Sequence, residues 1–211
     1  MKLARLAQAC EVDALLCVTP YYLRSTQEGL YRHYCELAAA VDLPLVLYNV
    51  PSRTGVDLLP ETVARLAEQS AIVAIKEAVA GAERVKELRE VCGPDFAILS
   101  GDDNSALDAM LAGANGVISV TANVVPGAMV DLCKLARSAD KQAVLQLGRR
   151  LDPLHRALMA EPNPTPVKWV MSRLGWTEPG IRLPLLPPNE AVQAQLEELI
   201  NDSVVDLVCR P

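Results

Sequence analysis

No apolar run in this 211-residue chain approaches the ~20 residues a helix needs to cross a bilayer. The opening stretch MKLARLAQAC also lacks the continuous apolar core of a secretory signal, so the sequence predicts a cytoplasmic protein. Positive charge is scarce. Lysine and arginine number 20 against 26 acids, a formal charge of −6, which is the wrong sign for a protein built to neutralise phosphates. A nucleic-acid partner is therefore excluded, as is a membrane partner. CxxC spacing is absent. The six cysteines (Cys10, Cys17, Cys35, Cys92, Cys133, Cys209) are scattered, mostly inside apolar runs where a reduced thiol behaves as a small hydrophobe, and we expect buried structural thiols. The two histidines, His33 and His155, sit within helical segments, away from any serine or cysteine motif, so neither a triad nor a metal centre is expected. No cofactor is implied.

With 51% apolar and 22% charged residues, the composition is that of one globular domain, or one domain with a small appendage. Five short apolar runs end in polar or turn residues: ALLCVT (14–19), LPLVLYN (43–49), AIVAIKE (71–77), FAILSG (96–101) and NGVISV (115–120). Each is too short for a helix and reads as a buried strand. Helical periodicity fills the gaps at 26–41, 60–69, 82–91, 103–112 and 126–138. Thr26 precedes Gln27 and Glu28, Pro60 opens a helix as a first-turn proline, and Asp102 or Asp103 can cap the helix that runs to Ala112. Gly113 suits a left-handed stop.

Near-continuous apolar strands alternating with amphipathic helices, at a repeat of about 20 to 29 residues, imply a parallel α/β sheet covered by helices. An open doubly wound sheet and a (β/α)8 barrel both fit. No G-x-G-x-x-G follows the first strand, which removes the best support for a dinucleotide fold. The barrel gains from where polar residues fall. Tyr21, Tyr22, Tyr48, Arg53, Lys76, Glu77, Ser100, Asp102, Asp103 and Thr121 lie at or just past the C-terminal ends of strands, the rim where barrels keep their chemistry. After residue 138 the alternation stops, and 141–160, 164–175 and 188–201 read as helices separated by proline-rich joints. The expected division is a partial barrel over 1–138 and a C-terminal helical region over 139–211.

Lys76 is the residue with the most chemistry to offer. By strict alternation it shares a face with Ile72 and Ala74, and a lysine on the inward face of a buried strand loses hydration. Desolvation lowers its pKa and frees the neutral amine to attack a carbonyl, as in Schiff-base chemistry; the alternative is a strand-end lysine whose stem snorkels to water. Tyr48 ends the preceding strand, one βα unit earlier, where its phenol could exchange a proton with a lysine-bound intermediate or simply plug the barrel mouth. Arg53 follows in the turn-rich NVPSRTG, placed to bind a carboxylate or to lie in solvent. In SGDDNSALDAM, Gly101 marks a close backbone approach, and Asp102 and Asp103 stand at a helix start, suited to capping or to meeting a substrate amino group.

VTPYY (18–22), YNVPSRTG (48–55), IKEA (75–78), SGDD (100–103), GVISVTANV (116–124) and EPNPTPVKW (161–169) resemble, in order and spacing, the dihydrodipicolinate synthase (4-hydroxy-tetrahydrodipicolinate synthase) family, over residues 10 to 200. The resemblance implies a (β/α)8 barrel and a class I aldolase-type lyase that condenses pyruvate with L-aspartate 4-semialdehyde in lysine and diaminopimelate biosynthesis, as a homo-oligomer built from dimers. By motif, Lys76 resembles the Schiff-base lysine, Tyr48 the proton donor and acceptor, and Arg53 the arginine that helps bind the aldehyde substrate's carboxylate. Gly101 and Asp102 belong to the SGDD motif of the substrate site, and Ile118 resembles the backbone contact to pyruvate. Tyr22 resembles a tyrosine that reaches across a dimer interface to complete a proton relay, and Tyr21 its neighbour at the lysine feedback site.

An eight-stranded barrel needs eight strands and typically ~250 residues, whereas five strands are legible here. The family's first three βα units, with a Gly-Thr-Thr-Gly-Glu-like loop whose threonines bind the pyruvate carboxylate, have no counterpart in the sequence. The expectation is a synthase whose written N-terminus is incomplete or whose missing strands come from another polypeptide, with impaired activity as this chain alone. Two alternatives stay open: a non-catalytic paralogue that acts as an assembly partner, and a sibling pyruvate-dependent aldolase for another aldehyde.

Overall fold

The computed structural model describes residues 1–138 and 140–201. Ala139, where the sequence reading begins the C-terminal region, and the segment 202–211 with Cys209 lie outside the described residues. The chain divides into two compact units, Met1–Ile118 and from Ser119 on.

In the first unit the apolar runs become strands and the periodic segments become helices, in the order α1 (Lys2–Ala9), β1 (Leu15–Val18), α2 (Gln27–Ala38), β2 (Leu45–Asn49), α3 (Pro51–Thr54), α4 (Pro60–Ala67), β3 (Ile72–Glu77), α5 (Ala82–Cys92), β4 (Ala97–Ser100), α6 (Ala106–Leu111) and β5 (Gly116–Val117). Local signals place the boundaries. Thr26 caps α2 by accepting a hydrogen bond from the Gly29 N–H at 3.2 Å, and Pro60 opens α4. After α6 the chain passes through Gly113 at φ +112°, a conformation that suits glycine. Two readings need adjustment. The turn-rich NVPSRTG contains the short helix α3, closed by Gly55 in the left-handed region. β5 is two residues long, Gly116–Val117, not the full NGVISV run, and pairs with β4.

All five strands are parallel, in the spatial order β1-β2-β3-β4-β5. Because parallel crossovers are right-handed, an order that never reverses puts every covering helix on one face, the winding of a barrel and not of a doubly wound sheet. Burial bears this out. One face carries Leu45, Leu47, Asn49, Ile75 and Ile98, all fully buried, with Ile72, Glu77 and Ser100 nearly so. They share the core with Leu30, Leu66 and Leu88 of the surrounding helices, each also fully buried. The opposite face carries Leu16, Val18, Val73 and Ile118, which are 37–48% exposed. The fold is thus part of a (β/α)8 barrel, and the open face is the side a closed barrel turns inward.

Strict alternation along β3 does not hold. Ile72 pairs with Leu45 while Ala74 pairs with Val46, so Val73 is an extra residue, a bulge. Ile72 consequently lies on the helix-covered face with Ile75 and Glu77. Ala74 and Lys76 lie on the open face with Tyr48, and Val73 is 41% exposed. Lys76 points as expected, but Ile72 does not share its face.

From Ser119 on, a 3₁₀ turn at Thr121–Asn123 leads to α7 (Pro126–Ala136), α8 (Lys141–Leu158), α9 (Thr165–Arg173) and α10 (Glu190–Leu199). Asp140 and Asn189 cap α8 and α10 through the N–H groups of Ala143 and Val192. Arg173 forms a two-point ion pair with Glu197, joining α9 to α10. His155 is buried and hydrogen bonds through Nδ1 to the Thr121 hydroxyl at 2.7 Å. His33 makes an edge contact with Tyr34. No helix among the described residues is long and apolar enough to cross a membrane.

The described cysteines depart from the expected burial. Cys10 is exposed, and Cys17, Cys35, Cys92 and Cys133 are only partly covered. Cys17 lies on the edge strand β1, Cys10 just past the end of α1, and Cys35, Cys92 and Cys133 in α2, α5 and α7.

Candidate active site

Register is what brings the reacting groups together. Tyr48 and Lys76 occupy the same rung of β2 and β3, with Leu99 of β4 on the far side of Lys76. In a parallel sheet paired residues project to the same face, so the lysine stem runs between a phenol ring and a leucine. The Lys76 Nζ stands 4.3 Å from the centre of the Tyr48 ring. Burial is the main influence that lowers the Lys76 pKa below the ordinary lysine range; Arg53 adds to the lowering and Asp103 opposes it. Burial also raises the Tyr48 phenol, against a smaller opposing effect from Arg53. An amine made easier to deprotonate beside a phenol kept protonated is a nucleophile with a proton donor at hand.

Gly101 makes room for that amine. A Cβ at this position would lie 3.0 Å from the Lys76 Cε, 3.1 Å from its Cγ and 3.0 Å from the Ala78 Cβ. Its N–H donates to the Glu77 carbonyl at 2.7 Å, which holds the backbone of 101 against β3. The glycine is needed for space, not for a special φ.

Arg53, Tyr21 and Tyr48 line one cavity of about 410 Å³ floored by Leu16, Val18 and Val50. Arg53 also borders a second cavity of about 610 Å³ with Tyr21, Tyr22 and Arg24. Tyr22 is 90% exposed, and the backbone reaches it at φ +73°, a rare conformation for a side-chain-bearing residue; its N–H meets the Thr54 carbonyl at 3.3 Å. The structure therefore brings Tyr21, Arg53, Tyr48, Lys76 and Gly101 to one end of the sheet, while the Tyr22 side chain projects into solvent. Asp102 is occupied: its Oδ2 accepts from the Ser105 N–H at 2.9 Å and the Ser105 hydroxyl at 2.6 Å, just ahead of α6. Asp103 is the buried acid and the one felt by Lys76. Ile118 follows β5 on the open face, its N–H bound to the Ser100 carbonyl at 2.9 Å.

Directly behind the pair lies a cluster that the sequence reading passed over. Asn49 and Glu77, the residues after Tyr48 and Lys76, share the next rung on the helix-covered face. The Asn49 Nδ2 donates to both Glu77 carboxylate oxygens (3.1 and 3.0 Å) and to the Asp57 Oδ1 (2.7 Å), while its Oδ1 accepts from the Leu58 N–H (3.0 Å). Arg84 grips Asp57 at two points, 3.0 and 2.7 Å, and reaches Glu77 at 3.4 Å. Burial raises the Glu77 pKa against the hydrogen bonds that lower it, whereas the Arg84 hydrogen bonds lead in lowering that of Asp57. A signal was present: polar residues closing two otherwise apolar strands need partners. Among the described residues no group of three or more histidine, cysteine, aspartate or glutamate side chains could hold a metal ion.

The model of the dihydrodipicolinate synthetase family matches residues 1–203. The chain belongs to this family. It is 51% identical over 198 residues to the 4-hydroxy-tetrahydrodipicolinate synthase of Alcanivorax borkumensis, an alignment covering 94% of this chain and 67% of that relative. Among solved structures, the dihydrodipicolinate synthase of Thermotoga maritima superposes with a TM-score of 0.93 at 40% identity, covering 96% of this chain and 70% of its own. The chloride-inhibited Acinetobacter baumannii enzyme, solved with pyruvate, gives 0.92 at 46% identity, with 96% and 69% covered. The chain thus spans about two thirds of the length of these dihydrodipicolinate synthetase relatives, as its five strands are part of an eight-stranded barrel.

Proposed function

We propose that this chain carries the Schiff-base centre of a lyase that condenses pyruvate with L-aspartate 4-semialdehyde. The observation that carries the reading is the Lys76 amine, half-buried on the inward-type face and 4.3 Å from the Tyr48 ring. In this reading the neutral amine adds to the pyruvate C2 carbonyl, water leaves, and a protonated imine forms. Loss of a C3 proton gives an enamine, whose C3 attacks the aldehyde carbon, and the aldehyde oxygen takes a proton from the Tyr48 phenol. Water or an amine then displaces Lys76 from C2.

Arg53, on the cavity shared with Tyr48, is the residue proposed to bind the aldehyde substrate's carboxylate. The Ile118 backbone is proposed to contact pyruvate. Gly101 keeps the lysine stem's path open, and Gly101 and Asp102 are proposed to belong to the substrate-binding site. Tyr22, projecting outward, is proposed to complete a proton relay in a neighbouring subunit of a homo-oligomer, with Tyr21 beside a lysine feedback site. A cytoplasmic location completes the reading.

The test is to incubate the chain with pyruvate and borohydride and map the adduct by mass spectrometry. The expected outcome is an adduct on Lys76, absent in Lys76→Ala. Failure of pyruvate and of other keto acids to trap on the folded chain would remove the reading.

A second reading, an assembly partner without turnover, is favoured by the apolar open face with Leu16, Val18, Val73 and Ile118 exposed. Co-purification with a full-length synthase, together with no trapping by the isolated chain, would select it.

A further inference from the structure

We infer that Asn49, Glu77, Asp57 and Arg84 are positioning residues that hold the Lys76 amine against the Tyr48 ring. The inference rests on the reading of Lys76 and Tyr48 as the reacting pair, and extends it to side chains that touch neither substrate nor each other's open-face neighbours.

β2 and β3 pair with a break in register: the bulge at Val73 inserts one residue into β3, so the alignment at the Tyr48–Lys76 rung is one residue off that at Leu45–Ile72. Backbone hydrogen bonds alone do not choose among alignments, because every alignment of a parallel pair offers the same groups. A cross-strand side-chain link does. Asn49 and Glu77 form that link at the last rung, one residue beyond Tyr48 and Lys76. Slipping β3 by one residue would break the two Asn49–Glu77 hydrogen bonds and draw a buried carboxylate away from the amide that faces it. It would also turn Lys76 to the helix-covered face.

The link is itself fixed from behind. Asp57, in the segment that leads into α4, and Arg84, in α5, clamp Asn49 and Glu77 through the bonds described above, and the Val79 N–H donates to the Glu77 Oε1 at 2.8 Å. Asn49 has no freedom left, since both amide groups are committed. The cluster ties β2, β3, α5 and the chain entering α4 together at the C-terminal ends of the strands, where the reacting groups stand.

A comparison within the same unit isolates position from bulk stability. Arg89 makes a similar set of ties at the opposite ends of the strands, donating to the carbonyls of Gly93, Phe96 and Gly113 and to the Asn115 side chain. It holds β4 and β5 but no residue of the Tyr48–Lys76 rung.

The test compares Asn49→Ala, the milder Arg84→Lys and the control Arg89→Gln in the full chain. Two quantities are read: the first-order rate of borohydride-trapped imine at saturating pyruvate, and the titration of Lys76 by 13Cε-lysine NMR without substrate. Asp103 and Arg53, the charged groups that act on Lys76, are unchanged in all three variants. Positioning predicts that Asn49→Ala slows imine formation by about tenfold or more, with half-saturating pyruvate within about threefold, and that Arg84→Lys follows in the same direction by less. In both, Lys76 titrates closer to the ordinary lysine range as the amine loosens into water. Arg89→Gln should lose thermal stability while keeping the parent rate and titration. Should the cluster variants match the parent in both readouts, or Arg89→Gln lose rate and shift the titration equally, positioning is overturned. If the parent fails to trap pyruvate while the Lys76 titration still moves in the cluster variants alone, the lyase reading falls and the positioning of the amine stands.

Discussion

Tyr48 and Lys76 share one rung of adjacent parallel strands, and the lysine amine stands 4.3 Å from the centre of the tyrosine ring. Burial lowers the lysine pKa, and the Tyr48 phenol is the proton donor proposed for a lysine-bound intermediate. Ring and hydroxyl separate by mutation. Tyr48→Phe keeps the ring and removes the proton, so pyruvate should still trap on Lys76 while overall condensation falls by about 10²-fold or more. Single-turnover trapping and steady-state condensation, measured side by side, check this; equal loss in both would show that the hydroxyl acts before imine formation.

Gly101→Ala addresses the lysine stem directly. The added methyl group would meet the Lys76 Cε and the Ala78 Cβ at 3.0 Å, so the stem must give way. Because the Ala78 Cβ cannot swing aside as the lysine stem can, the crowding should cost about 1–3 kcal/mol of stability. Displacing the amine by a fraction of an ångström should still slow imine formation by about tenfold or more. Thermal unfolding and trapping rates on one preparation distinguish the two effects.

The pH dependence of trapping has a defined sign. Imine formation uses the neutral amine, and the Lys76 pKa lies below the ordinary lysine value, so the rate should climb at pH values where an exposed lysine is still protonated. Arg53 contributes to that lowering. Arg53→Gln removes the cation, raises the Lys76 pKa and should shift the profile to higher pH. A shift to lower pH, read from trapping rates across the alkaline range, would contradict the assignment of Arg53 to the neighbourhood of the amine.

Asp57→Asn tests the buried cluster through acid stability. Arg84 holds the Asp57 carboxyl below its ordinary range, so this group contributes stability above the unfolded-state pKa and loses it as pH falls through the folded value. Near neutral pH the variant should be less stable by about 1–2 kcal/mol, a figure that allows for solvent screening of a partly exposed pair. As pH falls through the folded value of Asp57 the difference from the parent should shrink, because the parent's carboxylate is then itself protonated. Glu77 works in the opposite sense: its raised pKa adds stability as pH falls through the folded value, which makes the parent's acid limb shallower than Asp57 alone would give. Urea unfolding at stepped pH values measures both.

Much of the first unit is written in local pattern. The run LPLVLYN could only be a short buried strand, and Thr26, Pro60 and Gly113 mark their helix ends by chemistry that acts within four residues. The placement of Lys76, Tyr48 and Arg53 near strand ends follows from those same boundaries. The bulge at Val73 was not legible, since nothing in AIVAIKE distinguishes an inserted residue from a regular one. The cluster around Asn49 escaped for a related reason. Its members come from four separate segments, and hydrogen-bond partners so far apart in sequence leave no spacing to read.

Hydrophobic periodicity and end caps, both short-range effects, were enough for the sequence alone to establish the order of strands and helices, and its motifs mark the family; the winding was decided by the spatial order of the strands. The side of the sheet each residue faces, the 4.3 Å approach of amine to ring, the space left by Gly101 and the buried clamp behind them were decided only in three dimensions. These depend on strand register, and register is chosen by contacts between residues that meet only once the chain has folded.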